Sequence, residues 1–251
     1  MTRTVVITGA SSGIGAATAR LLAARGDSVV LAARREAELG SVARDCGGPA
    51  LAIPTDVTDR DQVRTLVARA LERFGHIDVW INNAGQGITR EPSQLTDEDV
   101  HAMVRVNIKA VLYGMQEVLP HFKERNAGHI INISSVLGRI PHRTWRSAYT
   151  GSKHYVNALT TMFRDEVQQT HPGIQVSLVS PGVVRTDFGN SALHGGPDSR
   201  ALADSQSAEE VAQVIAAVIE TRAPDVYTRA GLSRRVAEYY ASLGTDPPAA
   251  N

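Results

Sequence analysis

Short apolar runs rich in β-branched residues alternate with amphipathic stretches along almost the whole chain. Residues 5–8, 28–33, 50–55, 78–82, 129–134 and 175–179 are largely apolar on both faces, the pattern of parallel strands covered on each side by helices. Helical periodicity fills the intervals at 13–25, 36–46, 59–74, 97–125, 148–170 and 208–221. Two of these helices have side chains placed to cap them: Asp59 ahead of Val63, Leu66, Val67, Ala70 and Leu71, and Thr96 with Asp99 three residues on. Each parallel crossover needs a helix, so the alternation predicts an α/β fold, a doubly wound parallel sheet with helices on both faces. Residues 225–228 suggest a short last strand and 232–243 a last helix. Only 187–206 lacks a clear period, and a loop of that length suits a lid or binding segment. Pro247 and Pro248 make 246–251 a frayed tail. No composition shift marks a linker, so 1–245 is expected to form one domain.

Composition narrows the classes. The 251 residues carry 26 Lys and Arg against 26 Asp and Glu, which leaves no basic footprint for nucleic acid and no acidic tail. A chain of this length buries roughly 70–75% of its unfolded surface and needs neither disulfide nor metal to hold it together. Cys46 stands alone, and the eight histidines form no close metal-binding pair, so no metal is expected. The apolar run after Met1 is too short for a signal peptide, and no stretch approaches the roughly 18 apolar residues of a membrane span. The expectation is a soluble, cytoplasmic protein without nucleic-acid or membrane partners.

Chemistry is concentrated where predicted strands end. The first strand runs into Thr8-Gly9-Ala10-Ser11-Ser12-Gly13-Ile14-Gly15 and then a helix. Glycines at 9, 13 and 15 allow a tight turn, close approach of backbone to a diphosphate, and close helix–strand packing, with the diphosphate at the helix N-terminus. The plainer alternative is a structural turn, but the strand before and helix after are what a dinucleotide site demands. The second strand ends in Ala33-Arg34-Arg35. Ala33 has no carboxylate for an adenosine ribose, while a guanidinium can take a phosphate bidentately, so NADPH is favoured over NADH, with Arg34 ahead of Arg35. Otherwise both arginines are solvated at a helix start. Asp56-Val57 and Asn82-Asn83-Ala84-Gly85 follow the third and fourth strands; each could border a cofactor, and each alone is ordinary turn chemistry. Ser135 follows the fifth strand, and Tyr149-Thr150-Gly151-Ser152-Lys153 puts a phenol and an ammonium on one helix face. An adjacent cation favours phenolate and turns a poor acid–base group into a usable one. A Tyr/Lys pair by itself is more often a surface contact; its weight comes from following the glycine loop and the strand-end serine.

Taken together, these residues resemble the short-chain dehydrogenases/reductases, in their compact single-domain branch with a Rossmann-like sheet. The matching motifs are Thr8-Gly9-x3-Gly13-x-Gly15, Asn82-Asn83-Ala84-Gly85, Asn107, Ser135, Tyr149-x3-Lys153 and Pro181-Gly182, spread over about residues 1–190. The resemblance implies that Tyr149 gives a proton to a carbonyl oxygen while nicotinamide delivers hydride to the carbon. Lys153 would hold the nicotinamide ribose and lower the phenol pKa, and Ser135 would fix the carbonyl. Asn107, otherwise an ordinary polar residue in a long helix, would kink that helix and hold a relay water. Pro181, Gly182, Val184 and Thr186 would meet the nicotinamide carboxamide. A homodimer or homotetramer is implied through helices 97–125 and 148–170.

Three features depart from the family pattern. Tyr149 follows Ser135 by fourteen positions, one more than is usual, which puts an extra residue into 141–146 at the substrate mouth. Ser12 stands where NADPH-using relatives often carry a base. The C-terminus lacks the frequent Asp-Gly-Gly ending. Arg139, His142, Arg143, Arg146 and Trp145 cluster before Tyr149; a solvated loop is favoured over a basic rim for an anionic or aromatic substrate. Residues 86–92 and 187–206 would complete the pocket. The leading expectation is an NADPH-dependent oxidoreductase acting on a small-molecule carbonyl or alcohol. The alternatives are a dinucleotide-binding sensor without chemistry, and an imine reductase or epimerase on the same site.

Overall fold

The computed structural model describes residues 2–202 and 204–244, so the expected tail at 246–251 lies outside the described residues. Seven parallel strands form one sheet in the order β3-β2-β1-β4-β5-β6-β7. They are β1 (Thr4–Thr8), β2 (Ser28–Ala33), β3 (Ala50–Pro54), β4 (Val79–Asn82), β5 (Gly128–Ile133), β6 (Ile174–Ser180) and β7 (Asp225–Tyr227). The helices are α1 (Gly13–Ala24), α2 (Glu36–Asp45), α3 (Arg60–Phe74), α4 (Asp97–Met103), α5 (Ala110–Arg125), α6 (Ser147–Thr170), α7 (Ala208–Thr221) and α8 (Leu232–Ala241).

Successive strand side chains point to opposite faces, and each face finds its own helices. Val5 and Ile7 of β1 pack with Ala16 and Leu22 of α1, Leu39 of α2 and Ile215 of α7. Val6 between them points the other way, to Leu66 of α3, Met115 of α5 and Val156 of α6. All three β1 residues are fully buried, which is why that strand carries no polar alternation. The strand order reverses between β1 and β4, so the carboxyl ends of β1, β2, β4 and β5 open onto a crevice.

Both expected caps form. Asp59 accepts from the Asp61 and Gln62 amides at 2.9 and 3.3 Å, and Thr96 and Asp99 close a reciprocal capping box. Two expectations need correction. The helix expected over 97–125 is broken by a π-helical segment, Val104–Lys109, between α4 and α5. There the Asn107 side chain, fully buried, binds the Gln86 backbone rather than pointing to solvent. The last helix stops at Ala241, not Leu243, because Ser242 turns its hydroxyl onto the Tyr239 carbonyl.

One polar network crosses the apolar core behind the site. Asn82 Nδ2 donates to Asn132 Oδ1 at 2.8 Å, Trp80 Nε1 donates to Asn82 Oδ1 at 2.8 Å, and Asn132 Nδ2 donates to Thr160 Oγ1 at 2.9 Å. Each unsatisfied buried partner costs about 1–3 kcal/mol. Asn132→Ala is therefore expected to lower the melting temperature by roughly 2–12 °C, at about 2–4 °C per kcal/mol for a chain of this size. A thermal melt that leaves Tm unchanged would remove the network from the stabilising interactions.

Candidate active site

The loop after β1 is strapped to the loop after β4. Asn83 Nδ2 donates to the Thr8 and Gly9 carbonyls at 2.9 and 3.2 Å, and Thr8 Oγ1 accepts from the Asn83 and Ala84 amides at 3.0 and 3.1 Å. Glycine is obligatory in this arrangement. Gly9 has φ +66°, and a Cβ there would lie 2.8 Å from Ala84 Cα; at Gly15 it would lie 2.5 Å from the Gly9 carbonyl oxygen. The Ser12 side chain leaves the N-terminus of α1 uncapped, so the first amides, Gly13 and Ile14 among them, and the positive end of the helix dipole face the crevice. These donors, bare of side chains, fit the diphosphate of a dinucleotide.

At the end of β2 the structure distinguishes the two arginines. Arg35 Nη2 donates to Ser11 and Ser12 Oγ at 3.0 and 2.7 Å. Arg34 is exposed and makes no side-chain hydrogen bond among the described residues. Asp56 Oδ1 accepts from the Thr58 amide and hydroxyl at 2.9 and 2.8 Å, an Asx turn, and Val57 packs partly on the core. Across the crevice, Pro181 accepts from the Val136 amide at 2.8 Å, Gly182 lies near Arg229 and Leu232, and Val184 bridges to Gln206. Thr186 closes on Gly13, whose absent Cβ would sit 3.1 Å from the threonine methyl. A cavity of about 310 Å³ lies beside that contact, lined by Arg20, Arg185 and Arg200 among others.

Ser135, Tyr149 and Lys153 come together at the end of β5. The Ser135 hydroxyl is near enough to the Tyr149 phenol to lower its pKa, and the Lys153 ammonium lies 5.8 Å from the phenol ring centroid. Both partners on α6 are nearly dry, at 7% and 4% exposure. Burial holds the Tyr149 pKa above its ordinary value, against the opposing pull of the Ser135 hydroxyl and the Arg146 charge. Burial lowers Lys153 to about 8, and its ammonium donates to the Ile133 carbonyl at 2.9 Å. Arg146, expected from its sequence context to lie in a solvated loop, is thus a cation whose charge lowers the phenol pKa.

Asn107 lies behind this group. Its Oδ1 accepts from the Gln86 amide at 2.9 Å, and its Nδ2 donates to the Gln86 carbonyl at 2.9 Å and to Ser152 Oγ at 3.0 Å. Ser152 in turn donates to the Tyr149 carbonyl at 2.7 Å. A Cβ on Gly85 would lie 3.4 Å from Asn107 Oδ1 and 3.8 Å from Lys153 Nζ, so the loop after β4, the π segment and α6 converge here. Two supporting residues escaped the sequence reading. Ser152 links Asn107 to the Tyr149 backbone, and Asn157 binds Ser134 Oγ and the Gly138 carbonyl. Asn157 lies four residues after Lys153, so helical spacing was the available signal.

The basic cluster before Tyr149, expected as a solvated loop, splits into unlike parts. Arg139 pairs with Asp225, His142 and Arg143 are exposed, and Arg146 is buried, so the solvated-loop reading fails for Arg146 alone. Residues 141–144, within the segment expected to hold the extra residue, form an exposed stretch. The segments expected to complete the pocket do meet: Leu193 exchanges backbone hydrogen bonds with Gly87 and Thr89, and Phe188 stands edge-on to Tyr149 with centroids 5.6 Å apart. His194 Nδ1 accepts from Arg90 at 3.0 Å, leaving its Nε2–H for Asp99 Oδ1 at 2.6 Å. Among the described residues, no group of His, Cys, Asp and Glu could hold a metal, and no helix is long and apolar enough to cross a membrane.

The sequence pattern of short chain dehydrogenases matches residues 3–195. An uncharacterized oxidoreductase of Staphylococcus epidermidis is 36% identical over 193 residues, covering 74% of this chain and 83% of the relative. A short-chain dehydrogenase/reductase of Burkholderia phymatum in complex with NAD superposes with a TM-score of 0.88 at 26% identity, covering 99% of this chain and 98% of that one. A short-chain dehydrogenase of Sphingobium yanoikuyae in complex with NADPH gives 0.83 at 28% identity, covering 96% and 93%.

Proposed function

The chain belongs to the short-chain dehydrogenase/reductase family, and from that premise we propose that it interconverts a carbonyl and an alcohol with NADPH, Tyr149 acting as general acid and base. The observation that supports this most is the burial of Ser135, Tyr149 and Lys153 together at the end of β5, with the ammonium 5.8 Å from the phenol ring centroid. A bound nicotinamide supplies the hydride. The protein supplies placement and protons. Ser135 and Tyr149 hydrogen-bond the substrate oxygen; Tyr149 donates its proton there in reduction and recovers it in oxidation. Lys153 holds the cofactor ribose, and Asn107 fixes the Gly85–Gln86 backbone beside it. Thr186, with the backbone of Pro181, Gly182 and Val184, meets the nicotinamide end.

NADPH is preferred because Ala33 lacks a carboxylate and Arg35 lies over Ser11 and Ser12, where a 2′-phosphate would replace the two hydroxyls as its partner. Fluorescence titration should show NADPH bound more tightly than NADH. Arg35→Ala should weaken NADPH by about 10–100-fold, the worth of a charge-assisted hydrogen bond or two, and leave NADH unchanged. Tighter NADH binding by the parent protein would overturn the phosphate reading and leave the fold untouched.

We place this activity in one domain spanning 1–245, in the cytoplasm, and in a homodimer or homotetramer. The α6 face carries Tyr155 and Met162, 53% and 68% exposed, which a second copy would cover. Light scattering of the purified protein should give twice or four times the 26.9 kDa chain mass; a 26.9 kDa particle would refute the assembly.

A further inference from the structure

Arg146 stands at the N-cap of α6, one turn before Tyr149. It is 7% exposed, yet no carboxylate lies within ion-pair distance of it among the described residues. Its neighbours in the same loops differ, since Arg90 has Asp99 and Arg139 has Asp225. Burial lowers the Arg146 pKa, and the acidic group that acts on it is the Tyr149 phenol. A buried cation without a partner ordinarily marks a missing counter-charge.

Its own donors are only partly spent. Nη1 donates to the Ile88 carbonyl at 3.2 Å, and the guanidinium carbon lies 4.8 Å from the Trp145 ring centroid. Nε and Nη2 have no protein acceptor among the described residues. Glycines flank the fork: a Cβ would lie 2.6 Å from Nη1 at Gly87 and 3.3 Å from Nη2 at Gly196. A Cβ at Gly196 would also lie 3.0 Å from Thr89 Oγ1, a buried hydroxyl with no hydrogen-bond partner among the described residues. Two N–H groups of a planar fork and an idle hydroxyl, set beside the phenol, match the two oxygens of a carboxylate.

We propose that Arg146, with Thr89, binds a carboxylate carried by the substrate, so that the molecules interconverted are oxo acids and hydroxy acids. This rests on the oxidoreductase reading and specifies its substrate class. Loop 187–196 folds over the fork and Phe188 over the phenol, so the acid enters as that loop lifts and is enclosed as it returns. Gly87 and Gly196 serve the site by their lack of side chains. Arg146 is a specificity-determining residue in this scheme, and its charge also steadies Tyr149.

The test is NADPH oxidation by the full chain with pyruvate, acetoacetate and levulinate, each beside its methyl ester. At least one acid should exceed its ester by about 10²-fold in kcat/KM, because an ester leaves the buried fork unpaired. Arg146→Met should bring the acid-to-ester ratio of kcat/KM from about 10²-fold down towards 1, with Arg146→Lys intermediate, because any effect through Tyr149 falls on acid and ester alike and cancels in the ratio. A thermal melt identifies a misfolded variant, in which case the lysine variant carries the comparison. Esters as good as acids, or a variant that slows both alike while folded, overturn the carboxylate site and spare the oxidoreductase. Should neither acids nor esters oxidise bound NADPH, the oxidoreductase reading falls. Calorimetric titration of levulinate into the NADP⁺-loaded protein then decides the site: binding lost in Arg146→Met upholds it, and no binding or equal binding overturns it.

Discussion

Tyr149→Phe is expected to reduce turnover by about 10²–10⁴-fold, the usual worth of a positioned proton donor, while NADPH binds as before. The separation of effects follows from what the substitution removes. The ring stays packed edge-on against Phe188 and beside the Lys153 ammonium. Only the hydroxyl goes, and with it the contact to Ser135. Because burial raises the phenol pKa, the group stays protonated through neutral pH and is ready to donate in the reductive direction. Single-turnover oxidation of bound NADPH, measured beside fluorescence titration, reads the two quantities separately. Turnover that survives the loss of the hydroxyl would move the proton path elsewhere.

Lys153→Met should be the next most damaging change, lowering kcat/KM by about 10²-fold and weakening the cofactor as well, since in the proposed reaction that ammonium holds the nicotinamide ribose in place beside the phenol. Its signature is in pH. Burial lowers Lys153 from 10.5 to about 8, so the ammonium is present below that value and is lost as pH rises through it. The kcat/KM profile for reduction should therefore fall on its alkaline side near pH 8 in the parent protein, and that limb should vanish in the methionine variant. Stability moves in the opposite sense. Between about 8 and 10.5 the unfolded chain holds a proton on Lys153 that the folded chain has released, so this group makes folding more favourable as pH rises through the window. The methionine variant lacks that rise. An alkaline limb that persists without the amine would assign it to another group.

The parts of the site built by local chain geometry were legible from sequence, and those built by distant contacts were not. The turn at Gly9–Gly15 announces itself because its positive φ and close approaches exclude any other residue. The Tyr149 and Lys153 spacing is a single helical turn, readable in any amphipathic plot. Ser152 and Asn157 share that helix, but their partners, Asn107, Ser134 and Gly138, come from the π segment and the end of β5. No periodicity reports the segment Val104–Lys109, because an inserted turn looks like a continuous helix in an apolar pattern. Arg34 and Arg35 are adjacent and chemically identical; which of them reaches Ser11 and Ser12 is settled by side-chain direction at the end of β2. Arg146 was misread for the same reason. Its burial comes from Gly87 and Gly196, far away along the chain.

The contact between Thr186 and Gly13 has a kinetic meaning. Phe188, two residues further on, is the side chain that shields the Tyr149 phenol, and its own amide is held by Thr186 Oγ1 at 3.3 Å. A diphosphate settling on the amides at Gly13 lies against Thr186, which is tied through that hydrogen bond to the aromatic cover. In the proposed reaction the nucleotide is therefore expected to lead and the carbonyl compound to follow, and initial-rate kinetics that show random order would sever this link.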